Sequence, residues 1–364
     1  MSAPRVLISG VVLDQPMGGV RRHNAELLPR IADLLEAKGG ELALLAGRGG
    51  LGFDPPANVR IIESDVPSSP LLVRAAKETK ALAKAIAQAA EASRPFDVVH
   101  VAHLPAPRAL PVPMSLTLHD LRSLDLEHTP FSRRLVAKTV VGRALRRARH
   151  VFTVSEHMRA RLEHGWPEVA AKILVAPNGA DHLPILPRAP APDAPLLHVG
   201  HLEPRKNLEL LLRALASDTT LPDLLLVGAP KHGEDKRLLA LARTLEVSHR
   251  VRMPGPCPDA DLPMLLASAA AVVLPSRLEG FGIVALEAQR ARVPLAISSA
   301  GALVETAAKS ACVFAPDEPR ACAQAIRQAL EQAPSTLEAA ALRAEGFTWD
   351  EAARIFVAGW AQQA

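Results

Sequence analysis

The sequence predicts an α/β chain of two domains, each a doubly wound parallel sheet. Three observations lead there. Short apolar runs of strand length alternate with longer segments of helical period from end to end, the pattern of parallel sheets covered on both faces. At 364 residues with 49% hydrophobic content, the chain can bury two cores of ordinary domain size. Midway, Leu183 to Pro195 is rich in proline and alanine, as a linker between domains would be.

Composition narrows the class further. The net charge of +4 hides an asymmetry: residues 1–180 hold 24 Lys+Arg against 17 Asp+Glu, or +7, and the remainder 18 against 21, or −3. The basic half is the one expected to meet an anionic partner or surface, and nucleic acid is not expected among the partners. Cys257, Cys312 and Cys322 are odd in number and follow no disulfide or metal spacing, so a reducing compartment is expected and a metal is not. Met1 to Arg5 runs straight into a strand-like segment without the apolar core of a signal peptide, and no apolar run is long enough to span a bilayer. These features predict a cytoplasmic location.

In the first half, Arg5 to Leu13 is predicted as a buried strand. Then come Asp14 to Val20, with Gly18 and Gly19, and an amphipathic helix from about Arg21 to Lys38. A glycine pair between first strand and first helix permits close approach of backbone to a ligand, although a plain turn reads the same way. Strands follow at Glu41–Ala46, Asn58–Glu63, Asp97–Ala102, Met114–Leu118, His150–Val154 and Lys172–Ala176, with a helix at Leu71–Ala92. In such sheets ligands gather at the carboxyl ends of the strands. Two ends carry histidine. His100 and His103 are read as structural, whereas His119-Asp120, directly after a strand, is a candidate for the site.

Phe131 to Arg149 is predicted as a basic helix, with Arg133, Arg134, Lys138, Arg143, Arg146, Arg147 and Arg149. It fits a helix with a solvated basic face. It also fits a peripheral contact to anionic lipid or to a polyprenyl-phosphate-linked acceptor. Ser155 is the expected N-cap of the next helix.

In the second half, strands are predicted at Leu196–Gly200, Leu224–Gly228, Arg250–Pro254, Ala270–Pro275, Leu295–Ser298 and Cys312–Ala315, with a helix at Leu208–Leu215. Asn207 is the expected N-cap of that helix. Arg205 and Lys206 would then stand at its positive end, where cations are unfavourable by a few tenths to about 1 kcal/mol, so an anion is expected to offset them. The densest stretch is Glu279-Gly280-Phe281-Gly282-Ile283-Val284-Ala285-Leu286-Glu287. One acid follows a strand, a second falls on a helix, and glycines bare the backbone where that helix starts. Helix N–H groups hold phosphate and carboxylates accept hydrogen bonds from sugar hydroxyls, so a nucleotide sugar fits. An ordinary strand–loop–helix connection with two solvated glutamates fits the spacing equally well.

Pro275 to Pro294, continuing through Ser298 to Glu305, resembles the donor-site signature of retaining glycosyltransferases of family 4, and Gly200 with Arg205-Lys206-Asn207 resembles that family's second donor motif. The resemblance implies the GT-B fold, two Rossmann-like domains facing across a cleft. Residues 1–182 would form the acceptor domain, 183–346 the donor domain, and 347–364 a final helix that packs back on the first. It implies that Glu279 lies by the transferred sugar and that Glu287 binds the ribose. Arg205 and Lys206 would grip the diphosphate, and Gly18, Gly19, Gly280, Phe281 and Gly282 would line the donor. His119 would sit beside the sugar, with Asp120 and Arg22 orienting the acceptor side. The implied reaction takes a sugar such as mannose or glucose from a nucleotide diphosphate sugar to a glycan or lipid-linked acceptor, with no cofactor and no metal, in bacterial polysaccharide or glycolipid assembly. A nucleotide-sugar epimerase and a non-catalytic subunit are the alternatives. The sequence departs from the pattern at Ala291-Arg292 before Val293-Pro294, where the family often has glycine. Asp259-Ala260-Asp261 mimics the metal motif of another glycosyltransferase fold but precedes leucines at helical spacing, and is predicted to be a helix cap.

Overall fold

A computed structural model of the chain describes residues 3–15, 18–121, 124 and 131–362. Pro16, Met17 and Gln363, and the side chains of Phe131 and Arg133, which the predicted elements include, lie outside the described residues. The chain divides into two compact units, one of Met1–Gly179 with Trp349–Ala364 and one of Ala180–Thr348.

The first unit holds a parallel sheet of β1 (Arg5–Gly10), β2 (Glu41–Ala46), β3 (Val59–Glu63), β4 (Val98–Val101), β5 (Met114–Leu118), β6 (His150–Thr153) and β7 (Ile173–Val175), in the order β3-β2-β1-β4-β5-β6-β7. Among the described residues its helices include α1 (Gly18–Glu36), α2 (Leu71–Glu91), α3 (Phe131–Arg147) and α4 (Glu156–Gly165), with the last helix of the chain added below. Leu7, Val99, Leu116 and Val151, one from each of four neighbouring strands, pack with Leu82 and Ile86 of α2.

The second unit repeats the winding. β8 (Leu196–Val199), β9 (Leu224–Val227), β10 (Val251–Gly255), β11 (Ala271–Leu274), β12 (Leu295–Ser298) and β13 (Cys312–Phe314) pair in parallel in the order β10-β9-β8-β11-β12-β13. Around them lie α5 (Leu208–Ser217), α6 (Glu234–Thr244), α7 (Leu262–Ser268), α8 (Ile283–Arg290), α9 (Leu303–Ala307), α10 (Pro319–Leu330) and α11 (Pro334–Glu345). Successive residues of β8 point to opposite faces, and both faces are covered. Leu196 joins α5 and α10 through Leu211, Leu215 and Ile326, while Leu197 joins α7 and α8 through Leu266, Ala285 and Ala288.

The last helix, α12 (Trp349–Ala361), belongs to the first unit and packs on α1, β6 and β7. Phe356 stacks on Phe152 at 4.2 Å between ring centroids, and the Trp360 indole donates to Ser115 Oγ at 2.8 Å.

In both sheets the winding reverses beside the central strand, between β1 and β4 and between β8 and β11. Loops leave the sheet in opposite directions there and open a crevice at the carboxyl ends of the strands.

Several local expectations change. The first strand stops at Gly10 rather than Leu13, and Gly18 and Gly19 are not in a loop but open α1. Asn207 stands at the start of α5 in the left-handed conformation, and its side chain does not cap the helix. It donates instead to the carbonyls of Pro275 and Pro316, tying the β8 loop to the β11 and β13 loops. Asp259–Asp261 is a 3-10 turn, and the Asp261 side chain makes no cap bond to α7. Ser155 does cap α4, accepting from the Met158 N–H. Arg292, where the family often has glycine, takes a left-handed φ of 54° after α8, and Glu338 holds its guanidinium on the surface.

Candidate functional site

The β8 and β11 loops meet at the reversal point of the second unit. Arg205 and Lys206 lie in a 3-10 turn, Pro204–Lys206, after β8, while Ser276 to Glu279 follow β11. The Arg277 N–H donates to the Arg205 carbonyl at 2.8 Å, which stitches the two loops together. A third loop closes on them: the Ala302 N–H donates to the Glu279 carbonyl, and Gly301 runs so close that a Cβ there would stand 2.5 Å from the same oxygen. Gly301 also has φ +64°, so glycine is required at that point for both reasons.

The Glu279 carboxylate is the centre of this arrangement. It accepts from the Lys206 ammonium, from Arg205 Nη1 at 3.2 Å and from Ser276 Oγ at 3.2 Å. Burial alone would raise its pKa, but Lys206 and Arg205 outweigh burial and hold it at about 2. Arg205 also pairs with Glu203 at 2.7 Å. The anion expected beside Arg205 and Lys206 is therefore supplied by the chain itself. Two cations converge on one carboxylate, and the spot they create is one that any competing anion could take.

Beneath them lies His198, fully buried on β8. Its Nδ1 stands 3.0 Å from the Val273 carbonyl and so carries the proton, leaving the buried Nε2 as a lone pair without a hydrogen-bond partner. Burial, and then the Lys206 charge, push this histidine down to about 4. Nothing in the sequence singled it out, since a histidine inside an apolar strand carries no periodic signal.

Gly282 sits at the N-cap position of α8 with φ +94°, and a Cβ there would strike Leu303 at 2.6 Å. No side chain caps that helix and no acid stands in its first turn, so its positive end is available to an anion. Phe281 is buried, with its carbonyl accepting from Thr306 Oγ1 at 2.6 Å. Glu287, in the second turn, is also buried, with His182 Nε2 3.1 Å from its carboxylate. His182 was missed by sequence reasoning. It lies in the Asn178-Gly179-Ala180-Asp181-His182 run, where only its polarity just before an apolar linker could have flagged it.

The remaining candidates belong to the first unit. Gly18 and Gly19 are exposed at the start of α1, and Arg22 pairs with Glu26 along the same helix at 3.4 Å. His119 and Asp120 follow β5 and are half-buried. The His119 ring meets that of His23 edge-on at 4.5 Å, and His23 in turn bonds Asn178 at 2.7 Å. His100 and His103 are tied into the protein as structural residues would be. His100 bonds Ser115 and Thr117, while His103 pairs with the buried Glu78, which also accepts from Ser9.

Comparison with known proteins agrees with this geometry. Residues 188–345 match the model for "Glycosyl transferases group 1", and residues 17–182 match the model for "Glycosyltransferase Family 4". An O-antigen chain mannosyltransferase B of Escherichia coli is 30% identical over 254 residues, which is 64% of this chain and 66% of that protein. The chain spans under half the length of several other curated relatives. Among solved structures, a sucrose-phosphate synthase from Thermosynechococcus elongatus superposes with a TM-score of 0.76 at 20% identity, covering 96% of each chain. The Anabaena protein HepE in complex with UDP gives 0.68 at 20% identity, over 96% of this chain and 97% of that one. Such likeness establishes the GT-B fold of two Rossmann-like domains. With both halves matched by its models, the chain belongs to glycosyltransferase family 4.

Proposed function

We propose that the protein transfers a sugar, such as mannose or glucose, from a nucleotide diphosphate sugar to a glycan or lipid-linked acceptor, with retention at the anomeric carbon and without a metal, in polysaccharide or glycolipid assembly. The observation that carries this reading is the convergence of Arg205 and Lys206 on one anion position at the reversal point of the second sheet. The diphosphate takes that position from Glu279. The displaced carboxylate is then free to accept hydrogen bonds from the sugar hydroxyls, and the uncapped start of α8 faces the same anion. The nucleotide-bound relative and the mannosyltransferase relative support the choice of donor class.

Breaking the bond from sugar to phosphate places growing negative charge on the diphosphate. Fixed cations stabilise that charge more than they stabilise the ground state, which is what lowers the barrier. The departing phosphate oxygen then takes the proton of the incoming hydroxyl, with attack from the same face. In the first unit, His119 serves the transferred sugar. Asp120 and Arg22 orient the acceptor side, and Gly18 and Gly19 approach the donor.

Glu287 is assigned to the ribose and His182 to holding Glu287 in place. Glu287→Ala is expected to raise donor KM about tenfold with kcat little changed, the worth of a hydrogen bond to a charged group. His182→Ala should raise KM less, and adding it to Glu287→Ala should cost nothing more. An unchanged KM with a collapsed kcat would contradict the ribose role. The activity itself is tested by a thermal-shift screen with GDP, UDP, ADP and TDP, followed by NMR of the product anomer formed from the matching sugar nucleotide. A selective shift and a retained anomer support the reading. No shift with any of the four, or an inverted product, overturns it.

A further inference from the structure

The first unit exposes an apolar surface that its basic helix alone does not explain. Leu71, Leu72 and Val73, the first three residues of α2, are 52%, 81% and 44% exposed, and Leu135 and Val136 of α3 are 57% and 63% exposed. These are two parts of one surface. Leu71, Leu104, Pro105, Val136 and Val140 line a single cavity of about 430 Å³ between the start of α2 and the face of α3. Monomeric proteins rarely leave large aliphatic side chains clustered in water, and a rim of charge around such a cluster marks an interaction surface.

The charge says what the partner is. α3 carries six basic residues and no acidic one, and Lys138, Arg143, Arg146 and Arg147 are exposed beyond the apolar pair. Among the described residues Arg146 alone of these four pairs with an acid, Glu168. Neither α2 nor α3 has an acid in its first turn, and no side chain caps α2. An apolar wedge backed by unneutralised cations and the positive end of a 21-residue helix matches an interface of acyl chains beneath anionic headgroups.

We propose that this surface docks the first unit on an anionic membrane, with Leu72 as the leading inserted side chain and the α3 cations on the headgroups. The contact is therefore led by α2, whereas the sequence suggested the basic helix alone. Among the described residues no helix is long and apolar enough to cross a membrane, so the contact is a surface one.

The test is sedimentation of the full chain with phosphatidylcholine vesicles and with vesicles in which part of the lipid is phosphatidylglycerol. Wild type is expected to sediment with the anionic vesicles and to be released by salt. Leu72→Asp removes an exposed side chain without disturbing the core, which far-UV circular dichroism would verify, and should lower the partition at least tenfold. Lys138→Glu with Arg143→Glu should weaken binding and flatten its salt dependence. Equal recovery of wild type with and without vesicles overturns the proposal. So does Leu72→Asp binding as tightly as wild type, which would leave the basic face as the sole contact. Light scattering supplies a further arm: a dimer abolished by Leu72→Asp, with no lipid binding, would assign the surface to a second copy of the chain.

Discussion

Lys206→Ala is expected to lower kcat/KM by about 100- to 1,000-fold, the usual cost of removing one preorganised group from a developing oxyanion, or roughly 3–4 kcal/mol of barrier. Folding should survive. Lys206 sits in a three-residue turn, and Glu279 keeps Arg205 and Ser276 as partners after the ammonium is gone. Lys206→Arg should restore little, because a planar fork does not reproduce a compact ammonium where Arg205 already occupies one side. Steady-state kinetics with a saturating acceptor, beside a urea titration of each variant, separates the two effects. A Lys206→Ala enzyme within a few-fold of wild type would remove the side chain from the phosphate grip.

The same geometry makes a contrasting statement about Glu279. If the carboxylate holds the anion position until the donor arrives, Glu279→Gln should bind inorganic pyrophosphate more tightly than wild type. It should also transfer sugar more slowly, since the displaced group is lost. Titration calorimetry with pyrophosphate checks the first half without any turnover. Weaker or equal binding would mean that Glu279 and the diphosphate do not compete.

Much of this was legible in the sequence for a physical reason. Buried parallel strands are short apolar runs, and β2, β5 and β12 occupy the residues that the pattern assigned them. The spacing of Glu279 and Glu287 around two glycines is visible too, but by itself it reads equally as an ordinary connection with solvated acids, and their partners Lys206, Arg205 and His182 are not visible there. What stayed hidden was partnership across the fold. Asn207 has the chemistry of a helix cap, yet its side chain is spent on two carbonyls far along the chain. Glu203 looks like a solvated acid, but it sits on Arg205. His182 and Glu287 are 105 residues apart, and no local pattern links them. Strand ends were overrun for a related reason, since Val11, Val12 and Leu13 are buried after β1 without pairing in the sheet.

Acid is expected to destabilise the first unit more than the second. His23 and His100 are buried in the first unit and His198 in the second. Burial drives His23 well below its ordinary value, His100 to about 3 and His198 to about 4. A histidine whose folded pKa is depressed stays neutral in the native state, while the unfolded chain takes up a proton below about pH 6.5. Stability is therefore complete above that pH and falls as pH drops toward the folded pKa, by about 1.4 kcal/mol per pH unit for each group. At pH 5 His100 in the first unit and His198 in the second each cost about 2 kcal/mol, and His23 adds to the loss of the first unit, against a total of about 5–15 kcal/mol for a typical domain. Depressed carboxylates such as Glu279 add their loss only below about pH 4.5, so they do not blur this window. The sequence's three tryptophans, Trp166, Trp349 and Trp360, all lie in the first unit. Their fluorescence follows that unit, while far-UV circular dichroism follows both. Between pH 7.5 and 5.0 the urea midpoint by fluorescence should fall further than that of the second transition seen by circular dichroism. His100→Gln, which keeps a neutral hydrogen-bonding group facing Ser115 and Thr117, should make the pH slope of the fluorescence transition shallower. Parallel slopes in wild type and variant would mean that His100 does not carry its share of the acid sensitivity.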